Sequence, residues 1–247
     1  MHDARVQVDL SPLDEARFGV RSARAYVANE DDLTSVNRFC FENNVTFLIV
    51  RCPASALQTI QAMESDGFQL MDTLIYYRRD LHKTPIPADE GSVPIRPIRP
   101  GDEAAVVAIA VEAFQGYFGH YHADPRLDRT KCDEVYTSWA ERSATSREVA
   151  DEVLVAELDG RIAGFATLRF NSADEGEGVL FGVAPFAQGR GIYRSFMVRS
   201  MQWCAEHGRR YMIVSTQITN LAVQKVWVRL GFEPSHAYYT FHKWYDT

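Results

Sequence analysis

What this chain lacks narrows it first. Its four cysteines, Cys40, Cys52, Cys132 and Cys204, are scattered and form no Cys-x-x-Cys pair, so neither a zinc site nor a redox dithiol is indicated and reduced thiols are expected. No apolar run approaches the ~18 residues that span a bilayer, and the opening MHDARVQVDL has no apolar signal core. A soluble cytoplasmic protein is the expectation. Cations are in short supply, with 26 Lys and Arg against 33 Asp and Glu and a formal net charge of -7, which argues against nucleic acid or an anionic membrane as a partner because their phosphates repel such a field. His120 and His122 share a face only on a strand and have no third ligand beside them, so no metal is expected.

What is present points to an ordered enzyme-sized chain. Its 247 residues are 46% hydrophobic and 24% charged, enough for two modest domains or one large one at about 100–200 residues each. The most specific stretch is VAPFAQGRGIY, Val183 to Tyr193. It ends an apolar strand, sets Gly189 and Gly191 one residue apart, and opens into a helix whose face is Phe196, Met197, Ser200, Met201 and Cys204 before Gly208. Glycines let backbone approach a ligand, and a helix start offers N–H groups and a positive dipole end, so the segment reads as a diphosphate cradle. A plain glycine turn would share much of this pattern.

Prolines 85, 87, 94, 97 and 100 mark a boundary, dividing the chain into an N-terminal domain (1–84), a linker (85–92) and a second domain (93–247). At one constant offset, Ile49, Val50, Leu57, Gly67 and Phe68 fall on Ile213, Val214, Leu221, Gly231 and Phe232, which suggests a duplication of a strand–helix–Gly–Phe–strand unit. The first copy has no glycine loop. Asp159-Gly160 between two strand-like runs (153–158 and 161–170) is the clearest hairpin, and Val93 to Ile98 reads as an edge strand because of its prolines.

Gln188, Gly189, Arg190 and Gly191 resemble the acyl-CoA pyrophosphate loop of the GNAT N-acyltransferase superfamily, and the element order over 93–246 is similar to that fold. The resemblance implies an α/β (α+β) architecture: a mixed, mostly antiparallel central sheet flanked by helices, here preceded by a truncated GNAT-like half-domain. It implies acyl-CoA, acetyl or longer, as co-substrate, held by Val183, Gln188, Gly189, Arg190, Gly191, Ile192, Tyr193, Asn220 and Trp227, with the pantetheine arm lying where two strands part. Arg194 and Lys225 are further cations for CoA phosphates. Tyr193 stands where the family has a small residue.

The chemistry so implied is aminolysis of a thioester, which needs a base for the amine and an acid for the leaving sulfur. Where the family places a tyrosine acid seven residues after the asparagine, this chain has Trp227, a donor with no useful acidity. Tyr239 is taken as the candidate acid, with Tyr238 and Tyr193 as alternatives, unless orientation alone supplies the rate. For the base, GHYHADPRLD (119–128) holds two histidines, and His122 is chosen over His120.

Ala16 to Val20, with Phe18 and Gly19, and Tyr121-His122-Ala123-Asp124-Pro125 are similar to segments of dTDP-fucosamine acetyltransferases. That resemblance implies a dTDP-linked amino-deoxysugar acceptor and a role in polysaccharide biosynthesis. Phe18, Gly19, Tyr121, His122 and Asp124 would bind it between the two domains, and a homodimer is left open. Another small amine, a peptide N-terminus, or a non-catalytic CoA-binding module are the competing readings.

Overall fold

The structure is a computed structural model, and it describes residues 7–89, 91 and 93–245. They form two compact units that are not consecutive in sequence. The first takes 7–75, Phe118–Cys132 and 236–245; the second takes Tyr76–Tyr117 and Asp133–Ser235. The expected division at 85–92 follows the prolines, but two later segments join the first unit because their side chains pair with it.

In the first unit the strands β1 (Gln7–Leu10), β2 (Ser22–Tyr26), β3 (Phe47–Pro53), β10 (Glu233–Trp244) and β4 (Gln69–Asp80) lie in that order. β2 and β3 are parallel, joined through helix α2 (Glu30–Glu42), while β1 with β2 and β3 with β10 are antiparallel. Residues two apart share a face. Ala23, Ala25, Leu48, Val50, Cys52 and Phe241 therefore form one apolar face, closed by Leu33, Val36 and Cys40 of α2 and Ile60 and Met63 of α3 (Leu57–Ser65). By register the other face carries Arg24, Tyr26, Phe47, Arg51, Thr240, His242 and Trp244. Helix α1 (Pro12–Phe18) begins with Pro12 in the first turn and ends at Gly19, whose φ of 72° is the left-handed cap glycine favours.

In the second unit the order is β4, β9 (Tyr211–Gln217), β8 (Glu175–Val183), β7 (Arg161–Phe170), β6 (Glu152–Leu158) and β5 (Ile95–Pro97). The proline-flanked β5 is at an edge, where a missing donor is tolerated. Asp159 and Gly160 turn the β6–β7 hairpin at φ values of 52° and 72°. Val106, Ile109 and Ala110 of α4 (Glu103–Ala113) pack on Val155, Phe165 and Leu180. The sheets are mixed and mostly antiparallel with helices against them, as expected. Strand, helix, Gly-Phe and strand recur as β3–α3–β4 and β9–α8 (Leu221–Arg229)–β10, with Gly67 and Gly231 at φ 79° and 80°.

Gly164 of β7 shows how closely this sheet is packed. A Cβ there would stand 2.8 Å from the Gly182 carbonyl oxygen and 2.9 Å from the Phe196 ring, and the backbone neighbour cannot rotate away. Gly164→Ala is expected to lose about 1–3 kcal/mol in urea unfolding, the usual cost of overpacking.

Candidate active site

β8 and β9 are paired in parallel only from Glu175↔Tyr211 to Gly178↔Val214. β8 runs on to Val183 and β9 to Gln217, so beyond Gly178 and Val214 the two strands continue without a ladder between them among the described residues. After Val183 come a turn at Pro185–Ala187, extended Gln188, and Gly189 and Gly191 at φ 75° and 77°. Helix α7 (Ile192–Glu206) then starts. Both φ values are ones a side chain resists, and a Cβ on either glycine would meet nothing within 4 Å. The conformation requires glycine, and the space beside it is open. The first-turn N–H groups of α7 have no carbonyl of their own helix to bond. The expected helical face holds, with Phe196, Met197, Ser200, Met201 and Cys204 all fully buried.

The side chains around this loop divide. Arg190 is exposed beside the turn, whereas Ile192 points into the core, so its contribution to a ligand is its backbone N–H. Arg194 donates to the Ala88 carbonyl at 3.4 Å. Asn220 begins α8 without capping it; its Nδ2 donates to Thr216 Oγ1 at 3.0 Å.

Trp227 departs from its expected place. It is only 2% exposed, its ring lies 5.4 Å from that of Tyr77, and its indole N–H donates to the Tyr193 hydroxyl at 2.9 Å. It is therefore an interior residue and not a surface for pantetheine. Tyr193 turns inward to meet it and Phe181, which keeps this bulky side chain away from the open side of the loop. Burial pushes the Tyr193 hydroxyl pKa up, against a smaller opposing effect of the Trp227 bond, so it stays protonated.

In the first unit the segment 119–128 carries a short helix, α5 (His120–Ala123). His122 Nδ1 accepts the Gly119 N–H at 3.2 Å, and the ring is buried near Phe118. That closure of its own turn sets it apart from the expected base. His120 instead is half-buried, with Nδ1 2.9 Å from His242 Nε2. His242 Nδ1 is 2.8 Å from Asp124 Oδ2, which also accepts the Trp244 indole N–H at 2.9 Å. Asp124 Oδ1 accepts the Arg126 N–H.

The network assigns the tautomers. Burial would raise the Asp124 carboxyl pKa, but the bonds from His242, Trp244 and Arg126 outweigh it and hold it low. An ionised Asp124 takes a proton-bearing His242 Nδ1, which leaves His242 Nε2 as acceptor for His120 Nδ1–H. His120 Nε2 then carries the ring's lone pair. Burial first, then the neighbouring His242, Arg51, Arg24 and His122, which oppose a positive charge beside them, drives the His120 pKa well below the usual range, so this imidazole is neutral at physiological pH.

Tyr121 and Asp124 are inside the cluster and not on its surface. Tyr121 donates to Asp14 Oδ1 at 2.8 Å, and Arg24 bonds both Asp14 oxygens and the Tyr121 hydroxyl. Phe18 packs on Tyr121, 5.4 Å between ring centres, and with Val20, Arg126, Leu127, Asp128, Lys131 and Trp244 lines a pocket of about 290 Å³. Gly19 caps α1 through its left-handed backbone. Tyr239 lies on the opposite face of β10 from His242, against the apolar core beside Phe241, so it is no candidate acid. Sequence reasoning missed His242, Arg24 and Asp14. The polar alternation Thr240-x-His242-x-Trp244 in a strand was the available signal.

Among the described residues no group of three His, Cys, Asp or Glu is placed to hold a metal ion, and no helix is long and apolar enough to cross a membrane.

A mixed sheet whose parallel pair parts beyond a short ladder, followed by a glycine turn into a helix, defines the acyl-CoA-binding class of α/β folds. Residues 104–232 match the Acetyltransferase (GNAT) family, and this chain belongs to that family. It is 25% identical over 148 residues to the spore coat polysaccharide biosynthesis protein SpsD of Bacillus subtilis, covering 60% of this chain and 50% of that one. It is 30% identical over 157 residues to a mycothiol acetyltransferase of Amycolatopsis mediterranei, covering 60% and 48%. The chain thus spans about half the length of these curated relatives. In fold it is similar to a GCN5-related N-acetyltransferase from Sphaerobacter thermophilus, with a TM-score of 0.65 and 20% identity over 97% of this chain and 76% of that one.

Proposed function

We propose that this chain is an acyl-CoA-dependent N-acyltransferase whose acceptor is the amino group of a dTDP-linked amino-deoxysugar. One observation carries the acyl-CoA part: the β8–β9 ladder stops at Gly178 and Val214 while β8 leads on into the Gly189–Gly191 turn. Free strand edges fit the amides of a pantetheine arm, and the turn with the α7 start fits a diphosphate. The family match supports the same reading. The sugar acceptor draws support from the likeness to SpsD, whose name ties that protein to spore coat polysaccharide. A second reading, a different small amine, is favoured by the 30% identity to a mycothiol acetyltransferase.

In the reaction the amine lone pair forms the C–N bond to the thioester carbonyl and a nitrogen proton goes to a base. The C–S bond then breaks with its electron pair on sulfur, and the thiolate takes up a proton. The products are the amide and free CoA. A histidine of segment 119–128 supplies the base. Of the tyrosines considered for the acid, Tyr239 packs on the apolar core and Tyr193 turns inward onto Trp227, so orientation of the two substrates carries the rate and water protonates the thiolate.

Two measurements test this. Acetyl transfer to a panel of dTDP-amino sugars and simple amines should favour the nucleotide sugars; turnover of simple amines alone would select the second reading. Gly191→Asp puts a side chain at φ 77° and a like charge against the diphosphate, so acetyl-CoA affinity by calorimetry should fall by 10²-fold or more. Unchanged affinity would remove the cradle.

A further inference from the structure

The sheet face that carries His242 holds a second feature, Arg51. It stands on β3 directly opposite Thr240 of β10 and beside Tyr26 of β2, half-buried. Its guanidinium makes no hydrogen bond or ion pair among the described residues. Other arginines on this chain do otherwise: Arg24 is paired with Asp14, Arg96 with Asp102, and Arg210 with Asp80. Across the ladder the Thr240 Oγ1 is fully buried and has no partner. A half-buried cation without a counterion gives up part of its hydration with nothing in return, and a buried hydroxyl without a bond is costly. In a chain with a net charge of -7, a carboxylate partner was readily available, and none is placed there.

On the same face the Asp124–His242–His120 chain ends at half-buried His120, whose Nε2 carries the lone pair. A neutral acceptor for a proton and an unpaired cation on one sheet face select for a ligand with an amine and an anionic oxygen group. We infer that this face is the acceptor site, that it takes an amine bearing a carboxylate or phosphate, and that the anion sits on Arg51 while His120 Nε2 accepts the amine proton. The inference rests on the acyltransferase reading and adds a charge requirement to it. His120 is the catalytic base; His242 and Asp124 are positioning residues, which hold its Nδ1–H and spread the charge it gains. An anion on Arg51 cancels one of the cations that oppose protonation of His120, so the correct acceptor makes its own base stronger.

The groups facing His120 are His242 from β10, Arg51 from β3, Arg24 from β2, and Tyr121 and His122 from its own turn. The test uses the full chain. In NMR titrations with inorganic phosphate and, separately, acetate, the His120 ring resonance, assigned through His120→Asn, should shift saturably. The stronger of the two anions names the group. The shift should vanish in Arg51→Met and survive in part in Arg51→Lys, which keeps the charge and loses the fork. No shift in the wild type, or an equal shift in Arg51→Met, overturns the inference.

Kinetics give the second arm. A dTDP-amino sugar should exceed the methyl glycoside of the same sugar in kcat/KM by 10²-fold or more, and Arg51→Met should erase that ratio through KM. His120→Asn should lower kcat about 10²–10⁴-fold with CoA affinity intact. Asp124→Asn should lower kcat less and move the acidic limb of the pH–rate profile, which a merely structural role would not move. Equal use of both acceptors by a chain that binds CoA overturns the inference and leaves the acyltransferase reading standing. Transfer to no amine at all sinks that reading, and the phosphate titration still decides Arg51.

Discussion

Phe47→Ala is expected to cost about 3–5 kcal/mol of unfolding free energy, the range for removing a buried aromatic whose surroundings cannot collapse. Phe47 is completely buried. Its ring stacks on Trp244 at 4.6 Å, receives His242 edge-on at 4.9 Å and meets Phe18 at 6.3 Å. Three aromatic neighbours, two fixed on β10 and one at the end of α1, leave little room for repacking. Phe47→Leu, which keeps most of the volume, should cost less than about 1.5 kcal/mol. Urea titrations of the two variants decide the point. A loss below about 1 kcal/mol for alanine would mean that the ring stack does not brace the sheet.

Asp14→Ala should lose about 3 kcal/mol. Asp14 is 1% exposed and accepts from Ser11 Oγ at 2.6 Å, Arg24 Nε at 2.6 Å and the Tyr121 hydroxyl at 2.8 Å. Breaking a buried pair costs about 3–5 kcal/mol when the surviving charge stays buried, and the half-exposed side chain of Arg24 places this case at the low end. Burial alone would raise the Asp14 pKa, but Arg24, Ser11 and Tyr121 bring it below its ordinary value of 3.8. A carboxyl so depressed stabilises the fold above its unfolded pKa and loses that contribution as the pH falls through the folded one. The gap between wild type and Asp14→Asn should therefore narrow below about pH 3.9. A gap that widens on acidification would refute the charge argument.

The parts legible in the sequence were those set by short-range chemistry. Asp159-Gly160 demanded a hairpin, Gly189 and Gly191 a left-handed turn, and the spacing of Phe196 to Cys204 a buried helix face. What was hidden depended on distant pairing. Neighbours on a strand point to opposite faces, and nothing local says which is which, so Tyr239 was taken for the site when its near neighbour His242 belonged there. The same holds for His120 and His122, whose roles are separated by a four-residue helix in which one ring closes back on Gly119. Trp227 was read as a ligand surface because it stands where the family has a tyrosine, but its partner Tyr193, which holds it in the interior, lies on another helix. Prolines marked a boundary in the chain, and the units drew theirs by strand pairing.

The scattered make-up of the first unit bears on how the protein is made. β3 has β2 on one side, but its other neighbour, β10, lies far downstream in the sequence, and the α5 turn comes between them. During synthesis β1 to α3 must wait with one long edge of β3 unpaired, a template for wrong partners. Asp14 and Arg24 meet early, whereas Tyr121 and His242 arrive only as translation proceeds. This unit of the nascent chain should thus remain sensitive to protease, and in need of a holding chaperone, until β10 has emerged.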